Sequence, residues 1–519
     1  MELLGEEGRR LLRLGLLPGL LGGGLAVAFR LLLDLLLLVP PLALPLAGGA
    51  VGLFSAWLYR RLPDLRGGGV DRVLLAYHLG QGRLPPRLGP LKALLTALTL
   101  GLGGSGGQEG PLLYAGGALA QALRPRNPAE ARAVLLAGGA AAIAALFHTP
   151  LGAAFFAAEV LYRGSALEGR LLGYLAVAAI SGYGLQSLLF GTHPLLPVQG
   201  LEAPPLWFAL ALAPLAALGA FALARGLAWS RARLQGPAAL PLALAASGTL
   251  ALLFPPARGT SYEGLAALLQ GEGPNPLLFL LAKALAVLLS AGSGASVGLF
   301  GPSVVLGGAL GAALGALFGI GGPGPILLGL VALVSAAART PFAAVVQMVE
   351  ITGSYALLVP GLLVAFGAFA LNRETLFPLQ PPGPEASPAH AEDLLRGLAQ
   401  LPPGRPLLLG DLGAVLLEVR EGHPWAGKPL KDTALPPGVL VGLVFRQAHL
   451  LAPRGQDRLE PGDRVEGGAQ VAIVNADGSG FRELTSGPNN NAFPSLAPDG
   501  RRFVYRTFGP EGEGLRVMD

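Results

Sequence analysis

One stretch of this sequence recurs, and the distance between the two copies is constant. Four blocks are separated by the same 191 residues (283 − 92) from their second copy. The copies begin at Lys92 and Lys283, at Gly110 and Gly301, at Thr149 and Thr340, and at Glu159 and Glu350. Gly and Ala are abundant here, but a Lys and a Glu within apolar sequence are not. The shared shift therefore indicates two homologous halves, at about 67–160 and 258–351.

The repeated part is too apolar for a water-soluble protein. Only 13% of the 519 residues are charged, and the mean hydropathy is +0.56, whereas soluble domains carry about 25% charged residues. Residues 1–372 hold 36 charged side chains and residues 373–519 hold 33, so we expect a multi-pass protein of the cell membrane with a soluble C-terminal part.

Many apolar segments in both halves are short and interrupted by Gly or Pro, which is typical of transporters built from inverted repeats. The predicted fold is an all-α polytopic membrane protein with two inverted-topology repeats of broken and re-entrant helices, plus a small soluble α+β or β-rich domain. The predicted boundaries are 1–380 for the membrane domain, 381–410 for a Pro/Ala-rich linker, 411–466 for the small domain and 467–519 for a tail with two turn signals.

Each half has a Gly-rich turn that leads into a helix. Residues 103–111 form the first turn and residues 292–302 the second. A helix start presents unpaired N–H groups and about half a positive charge, and such a site binds an anion without a charged side chain. Two such starts, brought together by the repeat, predict one electropositive pocket in the membrane.

Glu109 stands at the first of these helix starts. An ionised carboxylate there can occupy the anion pocket itself, and a protonated one can leave it. Glu109 is therefore predicted to be a gate and proton acceptor, and the alternative is that it only complements the helix dipole.

The motifs around these turns resemble the CLC family of chloride channels and chloride/proton exchangers. Residues 107–111 resemble the family's G-R/K-E-G-P motif, with Gln108 in place of the basic residue, and residues 298–302 fit its G-x-F-x-P motif. Residues 67–71 stand where the family has G-S-G-I-P. The resemblance covers about 67–380.

The resemblance implies anion transport by a homodimer with one pore per subunit, and Glu109 as the external gate. It also implies that the backbone N–H groups of Leu299 and Phe300, in the second motif, bind the anion. Residues of the other motifs complete this site. The predicted anion-binding residues are Gly68, Gln108, Gly110, Leu299, Phe300 and Phe377.

Three positions depart from the family pattern. Gly68 replaces a serine whose hydroxyl contacts the central anion, and Phe377 stands for the central tyrosine without its hydroxyl. Glu159 matches the first glutamate of an internal pair, but the second is Val160, which cannot carry a proton. Glu159 and its repeat mate Glu350 are predicted to be structural carboxylates that accept hydrogen bonds from exposed backbone N–H groups.

The soluble part contains two further resemblances. Residues 417–463 are similar to the C-terminal domain of TrkA-type regulators, which implies a cytoplasmic regulatory module with an unknown ligand. Residues 475–519 resemble one TolB-like propeller repeat, and one blade cannot bury its own face. We expect this tail to be a marginally ordered fragment or fusion.

The predicted function is transport of chloride or similar monovalent anions, gated by Glu109 and more channel-like than strictly proton-coupled. Three alternatives remain: a chloride or fluoride antiporter coupled to protons, an ion-sensing receptor that acts through the cytoplasmic module, and a cation transporter, which the Gly-rich helix starts disfavour.

The chain has no cysteine and six scattered histidines, so we expect no metal or other cofactor. No nucleophile–base pair predicts an enzyme, and the net charge of +5 fits membrane-flanking loops better than a nucleic-acid partner.

Overall fold

The computed structural model divides the chain into two compact units, Met1–Ala389 and His390–Asp519. It describes residues 5–192 and 201–390, residues 195, 196 and 198 between them, and beyond residue 390 the strands given below with a few residues around them. Each unit is described by itself.

The first unit is helical. Helix α1 (Glu6–Leu11) continues through a π-helical turn, Leu12–Leu16, into α2 (Leu17–Leu37). The remaining helices as far as the middle of the unit are α3 (Leu44–Arg61), α4 (Val70–His78), α5 (Leu88–Gly101), α6 (Glu109–Ala120), α7 (Pro128–Phe147), α8 (Pro150–Glu159) and α9 (Leu172–Phe190). Those that follow are α10 (Leu206–Arg233), α11 (Ala239–Leu253), α12 (Tyr262–Leu269), α13 (Pro276–Gly292), α14 (Phe300–Leu317), α15 (Pro323–Ala338), α16 (Pro341–Thr352) and α17 (Leu358–Leu371).

Proline and asparagine set many of these helix starts. Helices α7, α8, α13, α15 and α16 all begin with proline, whose missing N–H would have no partner there anyway. Asn127 and Asn275 cap α7 and α13 by accepting the N–H of the third residue on, at 2.9 and 3.1 Å. The segmentation into many short helices therefore follows from local sequence.

Six helical stretches among the described residues are long and apolar enough to cross a membrane. They are Glu6–Leu37, Pro41–Arg61, Pro128–Phe147, Gly169–Phe190, Leu206–Arg233 and Phe300–Leu317. Other helices are too short to cross it: α6 has 12 residues and is about 18 Å long at 1.5 Å per residue, against about 30 Å of hydrocarbon. The first unit is thus a multi-pass membrane domain with broken helices.

The two halves of the unit repeat one another in structure. The starts of α6 and α14, of α8 and α16, and the ends of α7 and α15 are all 191 residues apart (300 − 109). Upstream of α5 the shift is 192 (253 − 61), as the ends of α3 and α11 show. A one-residue difference in length between the halves therefore lies before α5.

Equivalent glycines bring the central helices of each half into close contact. A Cβ atom on Gly116 of α6 would lie 2.3 Å from the carbonyl oxygen of Gly138 in α7. The equivalent Gly307 of α14 would place a Cβ 2.4 Å from the carbonyl oxygen of Gly329 in α15. Because membrane helices gain stability by close backbone approach, these pairs fix α6 on α7 and α14 on α15 in the buried centre.

The described part of the second unit consists mainly of antiparallel strands. Five of them form a sheet in the order β1-β2-β5-β3-β4. They are β1 (Pro406–Leu409), β2 (Leu412–Glu418), β3 (Val439–Arg446), β4 (His449–Leu451) and β5 (Arg464–Ala469). A pair, β6 (Ala472–Ile473) and β7 (Arg482–Glu483), and a three-stranded sheet, β8 (Asn490–Leu496), β9 (Phe503–Phe508) and β10 (Gly514–Met518), follow.

The predicted boundaries at 380, 410 and 466 stay predictions, and the described residues near them show the following contacts and strands. Residues 381–389 pack on the membrane domain, where the N–H groups of Arg163 and Gly164 donate to the carbonyls of Pro381 and Pro382 at 2.8 and 2.9 Å. Strand β1 lies inside the predicted linker, and β5 crosses the predicted boundary at 466. Proline has no N–H to donate, but its carbonyl accepts hydrogen bonds, and those of Pro381 and Pro382 do so here.

Candidate anion-binding site

The two Gly-rich turns meet. Gly107 and Gly298, which are equivalent under the repeat, donate their N–H groups to each other's carbonyls at 2.8 and 2.7 Å. Helix α6 begins two residues after Gly107, and α14 two residues after Gly298. The N-cap residues Gln108 and Leu299 make no side-chain capping bond, so the caps leave the first N–H groups of both helices available to another acceptor.

The side chain of Glu109 already fills this place. Its Oε2 accepts the N–H of Gly301 at 2.9 Å, and its Oε1 accepts the hydroxyl of Tyr262 at 2.5 Å. Glu109 is buried, with 1% of its surface exposed. A carboxylate from the first half therefore lies at the helix start of the second half, where the helix dipole favours negative charge.

Two glycines make the room for this carboxylate. A Cβ on Gly107 would lie 2.2 Å from Oε2 of Glu109, and a Cβ on Gly301 would lie 2.6 Å from Oε1. Both distances are far below any real carbon–oxygen contact. The sequence is thus glycine at these two positions because the carboxylate touches the backbone itself.

Gly68 and Gly110 lie at the same junction. A Cβ on Gly68 would meet the carbonyl oxygen of Val297 at 3.0 Å, and a Cβ on Gly110 would meet the carbonyl oxygen of Gly68 at 2.8 Å. The loop before α4 is therefore packed between the starts of the two helices. Gly68 offers no hydroxyl to this place.

A cavity of about 880 Å³ opens beside the junction. Gln108, Phe300 and Tyr262 line it, together with Phe147. Phe300 is buried and packs edge-on against Phe156, with 4.6 Å between the ring centroids. Tyr262 borders both the cavity and the Glu109 carboxylate.

Phe377 is the predicted site residue that lies farthest along the chain. It is buried in the loop after α17, and its neighbour Leu376 donates its N–H to Ala337, near the end of α15, at 3.0 Å. The structure therefore brings together six of the predicted site residues and locates Phe377 beside α15. The six are Gly68, Gln108, Glu109, Gly110, Leu299 and Phe300.

Glu159 and Glu350 bind the helix starts of the opposite half. Glu159 accepts the N–H groups of Phe342 and Ala343 at 3.1 and 2.8 Å. Glu350 accepts those of Leu151 and Gly152 at 3.0 and 2.7 Å. The two sets of contacts are reciprocal under the shift of 191, as a twofold relation between the halves requires.

Val160 follows α8 directly and is buried. Its carbonyl accepts the side-chain N–H of Gln380 at 2.8 Å. A carboxylate eight residues later is also buried: Oε2 of Glu168 accepts the hydroxyls of Tyr77 and Tyr162 at 2.9 and 2.8 Å. Sequence analysis missed this residue, since one of its two partners, Tyr77, is 91 residues away in the sequence.

Lys92 and Lys283, known from the repeat, are both fully buried. Lys92 donates to the carbonyls of Leu65, at 2.8 Å, and Gly67. Lys283 donates to Oγ of Ser105 at 2.9 Å and to the carbonyl of Gly259 at 2.8 Å. Each lysine thus holds loops that lead into the junction in place.

Tyr262 is a second residue that sequence analysis missed. Under the shift of 191 it aligns with Asp71, but under the shift of 192 that holds in this region it aligns with Val70. The signal that could have found it is the second set of turn glycines, Gly67 and Gly259, which are 192 residues apart and both have positive φ.

Comparison with known proteins identifies the family. The sequence profile of the family described as voltage gated chloride channel matches residues 51–373, more than half of the chain. The chain belongs to this family. The profile of the TrkA-C domain matches residues 414–465, so the expected regulatory-type domain within 411–466 is confirmed at the level of the family.

Relatives and solved structures agree with this assignment. The voltage-gated ClC-type chloride channel ClcB of Yersinia pseudotuberculosis is 32% identical over 348 residues, which is 62% of this chain and 82% of the relative. ClcB of Salmonella typhi is 30% identical over 317 residues, 55% of this chain and 73% of the relative.

Two crystal structures have the same fold. A CLC-type fluoride/proton antiporter matches with a TM-score of 0.64 and 25% identity, over 72% of this chain and 98% of that one. A slow cyanobacterial Cl⁻/H⁺ antiporter matches with a TM-score of 0.64 and 23% identity, over 76% and 98%. The predicted mostly helical CLC-type membrane fold is confirmed.

Proposed function

We propose that this protein transports chloride or similar monovalent anions across the cell membrane, and that Glu109 is the gate. The observation that carries the proposal is the contact of the Glu109 carboxylate with the N–H of Gly301 and the hydroxyl of Tyr262. An ionised carboxylate held there competes with an anion for the same donors. A protonated Glu109 is neutral, loses this advantage and leaves the place to the anion.

The anion site itself is proposed from the same junction. The backbone N–H groups of Leu299 and Phe300, with Gly68, Gln108 and Gly110 as walls, surround the place that the carboxylate occupies. Partial charges of helix starts attract an anion without holding it as tightly as a lysine would, and rapid transport needs this weaker binding. Phe377 is proposed to border the inner end of the path.

Replacing Glu109 tests the gate. The flux of chloride through reconstituted Glu109→Gln or Glu109→Ala protein is expected to be high at neutral pH and independent of pH, whereas the wild-type flux rises as the pH falls. Glu130→Gln is the matched control, because Glu130 also lies in the first turn of a helix, α7, but outside the junction. An unchanged pH dependence in the Glu109 variants would contradict the gate.

Val160 favours channel-like conduction over proton-coupled transport. An apolar side chain at this position cannot relay a proton to the inside. With opposed gradients of chloride and pH across a liposome membrane, we expect a reversal potential that follows chloride alone. A reversal potential that shifts with the pH gradient would show coupling to protons.

Glu168 supports the second candidate, proton-coupled antiport of chloride or fluoride. This buried carboxylate is bound by two tyrosine hydroxyls and lies eight residues after Val160. It could carry the proton that Val160 cannot carry. Both crystal structures described above are of antiporters. If the reversal potential shifts with pH, Glu168→Gln should abolish that shift while chloride flux persists, and competition between fluoride and chloride identifies the anion.

The proposal also covers how the subunits assemble and what the soluble part does. We propose a homodimer with one pore per subunit, inverted membrane topology of the two halves, and a cytoplasmic TrkA-C domain that binds a regulatory ligand. A receptor function remains the alternative of another class: it requires ligand-dependent changes in residues 411–466 without anion flux. The single TolB-like repeat in 467–519 stays a prediction.

A further inference from the structure

The two helix starts at the junction are equivalent by the repeat but differ in one neighbour. In the first half, a Cβ on Gly110 would lie 2.9 Å from Cγ2 of Val70. In the second half, a Cβ on the equivalent Gly301 would lie 2.8 Å from the hydroxyl of Tyr262. The same location therefore holds a methyl group in one half and a hydrogen-bond donor in the other.

The ring of Tyr262 is held so that its hydroxyl stays at this location. Tyr262 is the first residue of α12 and follows Ser261, whose φ of +67° turns the chain into the helix. Its ring contacts Phe147 edge-on, with 5.6 Å between the centroids. The residue also lines the cavity of about 880 Å³, as do Gln108 and Phe300 at the two helix starts.

We propose that the hydroxyl of Tyr262 is a ligand of the transported anion. When Glu109 leaves, the anion takes the place of its carboxylate and accepts hydrogen bonds from the Tyr262 hydroxyl and the Gly301 N–H. This inference rests on the proposed function and adds to it a specific side-chain ligand. Neither Gly68 nor Phe377 has a hydroxyl to offer, so Tyr262 supplies the side-chain donor.

The chemistry of the phenol defines the class of anion. A neutral O–H donor replaces part of the hydration shell of a small anion that accepts hydrogen bonds well, such as chloride. A larger, weakly hydrated anion such as thiocyanate gains less from it. Tyr262 is therefore expected to favour chloride over thiocyanate.

The test removes the hydroxyl when the gate is already absent. In Glu109→Ala protein, Tyr262→Phe is expected to weaken chloride binding, measured by titration calorimetry in detergent, by about tenfold or more, since a hydrogen bond to an anion contributes about 1.5–3 kcal/mol. The ratio of chloride to thiocyanate flux should fall as well. If the hydroxyl only holds Glu109, Tyr262→Phe will change neither quantity in this background, and the inference is overturned.

Tyr114→Phe in the same background is the matched control. Its hydroxyl is buried in α6 without a hydrogen-bond partner among the described residues, so chloride affinity should not change; an equal loss in this control would overturn the inference. Folding is followed by the melting temperature, which chloride should raise in Glu109→Ala protein and raise less in the double variant. Absence of anion binding and flux in Glu109→Ala protein alone would instead overturn the proposed function.

Discussion

At position 301 a single methyl group would occupy the volume that the carboxylate now fills. The carboxylate oxygens of Glu109 and the hydroxyl of Tyr262 all lie within 2.6–2.9 Å of where that group would be. The backbone of Gly301 thus serves as one wall of the site and as its donor. Close approach of a ligand to bare backbone is a role that only glycine can perform.

Gly301→Ala is therefore expected to reduce chloride flux at every pH, by about tenfold or more, because the new methyl group excludes carboxylate and anion alike. Stopped-flow or electrode measurements on liposomes provide the readout. Gly184→Ala is the control, because a Cβ there meets nothing within 4 Å. Normal, pH-dependent flux in Gly301→Ala protein would mean that the anion does not pass this residue.

At the level of helices, the starts of α8 and α16 are each stabilised by a carboxylate from the opposite half. The Glu159 and Glu350 carboxylates each accept two N–H groups at the starts of α16 and α8. This pairing satisfies donors that would otherwise be orphaned in a membrane, where an unpaired group is costly. It also neutralises the positive end of each helix.

Glu159→Gln and Glu350→Gln are each expected to lower the free energy of unfolding by about 1.5–3 kcal/mol, the contribution of hydrogen bonds to a charged group. Thermal unfolding in detergent, followed by intrinsic fluorescence, measures the loss. Glu374→Gln is the control, since its ion pair with Arg225 is exposed and should contribute about 0–1 kcal/mol. Equal melting temperatures for all three variants would contradict this role.

The helices show which features could be predicted from the sequence and which could not. The shift of 191 predicted which helix starts are equivalent, and the Gly-rich turns with Glu109 predicted most of the residues that meet at the junction. The single residue by which the halves differ before α5 hid the equivalence of Val70 and Tyr262. Glu168 and its two tyrosines come together only through packing, which no periodicity in the sequence records.

For the whole molecule, the described groups that contact Glu109 belong to the first compact unit. Residues 381–389 also belong to it, since Oγ of Ser387 bonds Nδ1 of His78 at 2.6 Å and Arg132 donates to the carbonyl of Ala389 at 3.2 Å. The membrane domain therefore ends after these contacts and before the strands of the second unit.

A chain that ends at residue 390 is thus expected to keep pH-dependent chloride flux, whereas one that ends at residue 380 should melt at a lower temperature because it lacks these hydrogen bonds. Melting curves and liposome flux of the two shortened proteins, beside the full chain, distinguish the cases. Equal melting temperatures for both would show that residues 381–389 add no stability, and loss of flux at 390 would place part of the transport function in the second unit.

The mutual bonds of Gly107 and Gly298 have an evolutionary consequence. Each residue pairs with its own counterpart, which is the geometry of contact between two identical chains. An ancestor of half the length could have met a second copy of itself at this one glycine, with both bonds supplied by the same gene product. Duplication and fusion of that gene would then have joined partners that were already assembled, and the matching places of Val70 and Tyr262 are where the two sides now differ.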